Sequence, residues 1–355
     1  MLQGGIIVKK GLGKIAFILS LAVGLAACGS GQTNQPAAQP AGEQKPAEQT
    51  ASAGNQPVEI RLGGGFASEE PFWLMQVDPS LTPNQGKSYT LNITQFRANA
   101  DRLNAYQANQ IDIASIGQGA TMLAASQGIQ LKVIGSVVKD TPDKGFNTKF
   151  MALKDSGIKS MADLKGKVIG IPDFKAPTDL WARAAVRSAG LDPDTDVKYA
   201  VIPIPSMGEA VKSKKIDVGV FPQPFFETAN ASGEFVEVFN SKTGVNVEED
   251  FLVMMANPDF VTKNEQAIKD FLSDFTNTVK YYEENGEEAR QKLIDAKKVQ
   301  ADPALYVKMT DNNRSVDGTV NIEAWGKIQE MLVAEKWLDK PVDPNSIIDM
   351  SYLPK

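Results

Sequence analysis

The side chains in this sequence best suited to chemistry are cations and aromatics that fall on loops. Arg97 and Lys175 can each pair with a sulfonate, carboxylate or phosphate group. Phe66, Phe72, Trp73, Phe174 and Phe225 can wall an apolar or ring-bearing molecule. Gln118 and Gln223 both donate and accept, which suits them to orienting a ligand. Gly64 and Gly119 permit close backbone approach, and Thr178 opens a helix whose amide end favours negative charge. The chain has no histidine. That removes imidazole metal sites, histidine general bases and the serine–histidine and cysteine–histidine arrangements together. Two other signals carry little. Tyr281 and Tyr282 are adjacent, as in some ferric sites, but neighbours on a helix point about 100° apart and no nearby cluster supplies further ligands. Gly63-Gly64-Gly65 lacks the Lys and Ser/Thr of a phosphate-binding loop. Neither a metal nor a cofactor is expected.

These residues need rigid elements to hold them, and the sequence supplies them in an α/β order. Short β-branched or apolar runs predict strands at 58–63, 89–96, 111–116, 131–138, 149–154, 167–171, 198–202, 217–221 and 251–256. Helical segments fill the gaps, among them Asp101 to Asn109, Thr178 to Ala189 and Met207 to Ser213, with Asp101, Thr178 and Ser206 as expected caps. From Asn264 the chain reads as mostly helical, with Ile268, Phe271, Leu272, Phe275 and Val279 on one core-facing stripe. The strand series runs twice, so the expected architecture is two doubly wound sheets joined by a two-strand hinge. Lobe I takes 57–152 and 253–355, and lobe II takes 153–252. Ligands of doubly wound sheets sit beyond the carboxyl ends of the strands. That rule selects loops 64–68, 97–99, 117–121, 173–178, 203–206 and 222–225.

The N-terminus addresses the chain outward. Lys9, Lys10 and Lys14 flank an apolar run, Ile15 to Val23, too short to span a bilayer and of signal-peptide length. Leu25-Ala26-Ala27-Cys28 follows, with Cys28 the only cysteine. It resembles a bacterial lipobox, in which the thiol is lipidated and becomes the new N-terminus, so residues 1–28 are expected to be signal peptide and lipobox. Residues 29–56, rich in Gln, Ala, Pro and Gly, cannot bury enough apolar surface to order themselves and are expected to form a flexible tether. A net charge of −6 offers no basic face for nucleic acid.

Several segments together resemble a known family. They are Leu103-x-x-Tyr106-x-Ala108-Asn109-Gln110-Ile111-Asp112-Ile113-Ala114, Met161-Ala162-Asp163-Leu164-Lys165-Gly166-Lys167-Val168-Ile169-Gly170, Ala189-Gly190-Leu191-Asp192-Pro193-Asp194, and Ile216-Asp217-Val218-Gly219-Val220-Phe221-x-x-Pro224-Phe225. With the tail Pro341-Val342-Asp343-Pro344 leading to Tyr352-Leu353, they cover nearly all of the chain beyond the tether. In this the sequence is similar to the nitrate/sulfonate/taurine/thiamine-precursor group of ABC-transporter solute-binding proteins. The resemblance implies a type II periplasmic-binding-protein, or Venus-flytrap, fold. It also implies a monomer that is not an enzyme and that hands a small molecule to an ABC permease and its ATPase. The sequence departs from the family at Asp173-Phe174-Lys175-Ala176-Pro177-Thr178, where Gly and Ser or Thr are usual, and at Gly63-Gly64-Gly65-Phe66. The expected ligand is a small organic anion, sulfonate-, taurine- or nitrate-like or aromatic. A thiamine pyrimidine precursor and a purely sensory role are the alternatives. The pyrimidine-synthesising enzymes of the same superfamily need a histidine that this chain lacks.

Overall fold

A computed structural model describes residues 56–299 and 301–355. The expected signal peptide, lipobox and nearly all of the tether lie outside the described residues. None of the described helices is long and apolar enough to cross a membrane.

Among the described residues, ten strands form two sheets of five. They are β1 (Val58–Gly64), β2 (Tyr89–Gln95), β3 (Ile113–Ile116), β4 (Lys132–Asp140), β5 (Lys149–Leu153), β6 (Val168–Ile171), β7 (Lys198–Val201), β8 (Val218–Phe221), β9 (Phe235–Asn240) and β10 (Glu249–Ala256). The orders are β2-β1-β3-β10-β4 and β7-β6-β8-β5-β9. In each sheet three parallel strands are followed by an antiparallel one, β10 or β5, whose neighbour in sequence lies in the other sheet. The chain therefore leaves the first sheet after β4 and returns at β10. Every expected strand is present within two residues at either end. The structure adds β9, whose Phe235 and Phe239 point inward.

The crossing differs from the expected boundary. β5 belongs wholly to the second sheet and β10 wholly to the first, so the links are the loops 141–148 and 241–248 rather than two hinge strands. Where they run side by side, the Ser241 amide donates to the Thr148 carbonyl at 2.9 Å. Gly244 is required here because its φ is +85° and an added Cβ would lie 2.4 Å from the Ala184 carbonyl oxygen.

Helices pack on both sheets. In the first lobe α1 (Glu70–Val77), α2 (Asn99–Gln107) and α3 (Gln118–Ser126) follow β1, β2 and β3. In the second, α4 (Pro177–Ser188), α5 (Met207–Lys212) and α6 (Phe225–Ala231) follow β6, β7 and β8. After β10 come α7 (Pro258–Lys263), α8 (Glu265–Glu284), α9 (Gly286–Asp295), α10 (Pro303–Lys308), α11 (Ile322–Ala334) and α12 (Pro344–Ile347). The α8 stripe is as expected: Ile268, Phe271, Leu272, Phe275 and Val279 are fully buried against the first sheet.

The expected caps are corrected. Asp101 lies within the first turn of α2, whose cap position is Ala98. Thr178 lies within α4, which starts at Pro177, a residue with a preset φ and no amide to satisfy. Ser206 does precede α5 but makes no capping bond.

The two lobes also share core. One apolar cluster runs from Tyr106, Met122 and Val133 of the first lobe through Trp181, Leu180 and Phe150 of the second. It is continuous because α4 packs against α3, with Pro177 on Gly117, so the lobes meet at a shared base.

Candidate functional site

Above that shared base, at the carboxyl ends of β1, β2, β6, β7 and β8, lies a cavity of about 290 Å³. Gly65–Ala67, Phe96–Asn99 and Arg102 supply its first-lobe wall, and β10 contributes Phe251 and Leu252. The second-lobe wall comes from Pro172, Asp173, Ala176–Thr178, Pro203–Ser206 and Pro222. Prolines offer no amide hydrogen, so this wall is apolar except at a few side chains. Phe66, Phe96 and Phe251 give the cavity three aromatic faces.

Its polar groups are few and distinct. Arg97 is exposed and forms no ion pair among the described residues. Arg102 is nearly buried; its Nη1 lies 3.5 Å from Glu69 Oε1 and donates to the Ser115 carbonyl, while its Nε has no partner. Burial holds the Arg102 guanidinium below its ordinary pKa, with Glu69 acting in the opposite direction. Burial likewise raises Glu69, against the pull of Arg102, Ser115 and the Gly65 amide. The Ser115 hydroxyl and the Gly65 amide each donate to that carboxylate at 2.5 Å. On the facing wall Thr178 is buried and its Oγ1 has no partner. The walls thus present three unsatisfied buried polar atoms, Asn99 Oδ1 and Arg102 Nε from the first lobe and Thr178 Oγ1 from the second, together with Arg97, which is unpaired among the described residues.

The glycine run exists for this arrangement. A Cβ on Gly64 would sit 2.7 Å from Glu69 Oε2, and one on Gly65 would sit 2.8 Å from Arg102 Nη2. The glycines make room for a buried ion pair beneath the cavity.

Of the eleven ligand-binding residues expected from sequence, Phe66, Arg97 and Thr178 lie in the cavity wall. The others require correction. Phe72 and Trp73 turn inward on α1, Phe72 against Phe275 with ring centroids 5.0 Å apart and Trp73 in a cluster with Tyr282 and Leu293. Gly64 backs onto Glu69 and Gly119 onto Leu332. Gln118 accepts the Asp250 amide at 2.9 Å, fixing β10. Gln223 donates to Glu227 and to the Thr310 carbonyl, both at 2.7 Å. Lys175 is exposed outside the wall; its backbone matters instead, with φ of +59° and its amide donating to Asp179 at 2.8 Å. Phe225 begins α6 beyond the cavity. The loop at 117–121 contributes nothing, because Gly117 is covered by Pro177. Asn99, Asp173 and Ser206 are wall residues in the selected loops that were not named individually, whereas Phe96, Arg102 and Phe251 lie in the wall but outside those loops. Tyr281 and Tyr282 diverge, one to Glu288 and Lys292 and the other to Asp311.

Two α/β lobes of matching strand order, joined by paired links and enclosing a cavity at their strand ends, define the periplasmic-binding-protein fold. The family profile described as NMT1/THI5 like matches residues 90–289, more than half of the chain, and the chain belongs to that family. A candidate binding protein of Brucella abortus (strain 2308) is 28% identical over 263 residues, 71% of this chain and 78% of its own. Among solved structures, the periplasmic aliphatic sulphonate binding protein SsuA from Escherichia coli superposes with a TM-score of 0.64 at 20% identity, covering 82% of this chain and 97% of its own. The periplasmic nitrate-binding protein NrtA from Synechocystis PCC 6803 does so with a TM-score of 0.64 at 13% identity, covering 83% and 87%. These relatives and neighbours bear the names of binding proteins, and the two solved structures those of periplasmic ones.

Proposed function

We propose that this chain is an extracytoplasmic solute receptor of an ABC importer, held to the membrane through lipidated Cys28, which closes on a small organic anion with an apolar or aromatic body. The carrying observation is the cavity wall: Arg97, unpaired among the described residues, and three unsatisfied polar atoms, Asn99 Oδ1, Arg102 Nε and Thr178 Oγ1, set among Phe66, Phe96, Phe251 and prolines. Unsatisfied buried donors are costly unless something bonds to them, and a bound anion supplies acceptors to both lobes at once. The aromatic faces favour an organic body over bare nitrate. The sulphonate and nitrate named for the neighbouring structures are consistent with an anionic head.

A thermal-shift panel of benzenesulfonate, benzoate, taurine, methanesulfonate, nitrate and an aminopyrimidine tests the ligand class. A ligand present at a hundred times its Kd adds about 2.7 kcal/mol of stability. Aromatic or alkyl anions should raise the melting temperature and nitrate should not; a response to the neutral aminopyrimidine alone would contradict the anionic reading. For the anchor, Cys28→Ser should abolish incorporation of labelled palmitate into the chain. Undiminished labelling would contradict lipidation at that residue.

A further inference from the structure

The helix α2 begins without a cap of its own. Its cap position is Ala98, which has no side-chain acceptor. The missing acceptor comes from the other lobe: the Ala100 amide donates to Asp173 Oδ2 at 3.1 Å. Ala100 is the second residue of the helix, where a capping side chain ordinarily accepts. Asp173 forms no ion pair among the described residues, and it lies in the cavity wall beside Pro172.

The loop carrying Asp173 is held from behind. Pro172 and Pro177 bracket it, Lys175 takes a left-handed φ of +59°, and the Lys175 amide is bound by Asp179 at 2.8 Å. Asp179 is buried and in turn accepts from Arg183 Nε at 2.9 Å. Asp173 is therefore presented on a rigid second-lobe loop, while its partner amide belongs to the first lobe. The bond can exist only while the lobes are together.

We infer that Asp173 is an interlobe latch: it caps α2 across the cavity mouth and stabilises the closed form without requiring contact with the ligand. The inference rests on the two-lobed receptor reading but not on the identity of the ligand.

Asp173→Ala removes the acceptor, whereas Asp173→Asn keeps an oxygen for the Ala100 amide and removes the charge. Small-angle scattering of the unliganded full chain should show a larger radius of gyration for Asp173→Ala and a nearly unchanged one for Asp173→Asn. With benzenesulfonate, calorimetry should show a fall in affinity of about two- to thirtyfold for Asp173→Ala, the range for losing a helix cap, and a smaller fall for Asp173→Asn. Unchanged scattering by Asp173→Ala would overturn the latch. So would equal loss in both variants, which would trace the effect to the charge at this position and not to an acceptor for the Ala100 amide. Should benzenesulfonate not bind, the scattering arm still decides the latch while the ligand proposal fails separately.

Discussion

Replacing Arg314 by methionine is expected to destabilise the folded chain by about 3–5 kcal/mol in urea unfolding, the usual consequence of breaking a buried ion pair. Arg314 and Glu70 are both fully buried and lie 2.8 Å apart. Asp311 at 3.3 Å and Glu283 at 3.5 Å also face this guanidinium. Without it Glu70 keeps no partner, since its Oε1 already lacks one. Arg314→Met with Glu70→Met should recover part of the loss, because it removes the stranded Glu70 carboxylate, while Asp311 keeps Arg290 at 3.3 Å and Glu283 is partly exposed. Equal stability of wild type and the single variant would contradict this account.

Burial, then the neighbouring Asp311, push the Glu70 carboxyl up to about 7, while Arg314 pulls it down. The folded state therefore holds a proton at Glu70 that the unfolded chain has released. By linkage, this group's contribution to stability falls as pH rises from about 4.5 to about 7. Glu70→Gln should flatten the pH profile across that window, and superimposable profiles would contradict the assignment. The network bears on function because residues 310–313 brace the link and the cavity loop. Phe146 and Lys139 donate their amides to the Asp311 and Asn313 carbonyls, each at 2.7 Å. The Ser68 hydroxyl reaches Asn312 at 3.0 Å, and Thr310 receives Gln223 of the second lobe at 2.7 Å.

Much of the scaffold was legible because its strands are short apolar runs punctuated by turns, and the carboxyl-end rule then selects loops carrying Phe66, Arg97 and Thr178, three residues of the cavity wall. What it missed depends on tertiary pairing. Phe72 and Trp73 follow the first loop closely, but α1 has begun at Glu70 and buries nearly all of its residues, so both rings turn inward. Glu69 and Arg102 are separated by 33 residues, and only the fold shows that each neutralises the other. Phe251 reaches the cavity on a strand that returns from the other lobe and packs against Trp181 with the rings tilted by 49° and centroids 5.1 Å apart. The cap of α2 was assigned to Asp101 because sequence reading looks nearby, whereas the acceptor is Asp173, 73 residues from the amide it binds. β9 was legible as the alternation Phe235-Val236-Glu237-Val238-Phe239 but follows a short helix so closely that it was passed over.

Arg97→Ala is expected to lower affinity for an aryl sulfonate by about ten- to a hundredfold, the range for losing a hydrogen bond to a charged group. Thr178→Val, on the opposite wall, removes a neutral hydroxyl and should cost about three- to tenfold. Because both groups lie in the wall and neither has a protein partner to lose, both effects should fall on affinity with little change in unfolding stability. The central claim is that the ligand bridges both lobes, and calorimetric titration of benzenesulfonate into wild type and these two variants tests it most directly. Weakened binding in both, one on each side of the cavity, is the expected result. Wild-type affinity in either variant would place the ligand on one lobe alone, or elsewhere, and contradict the account.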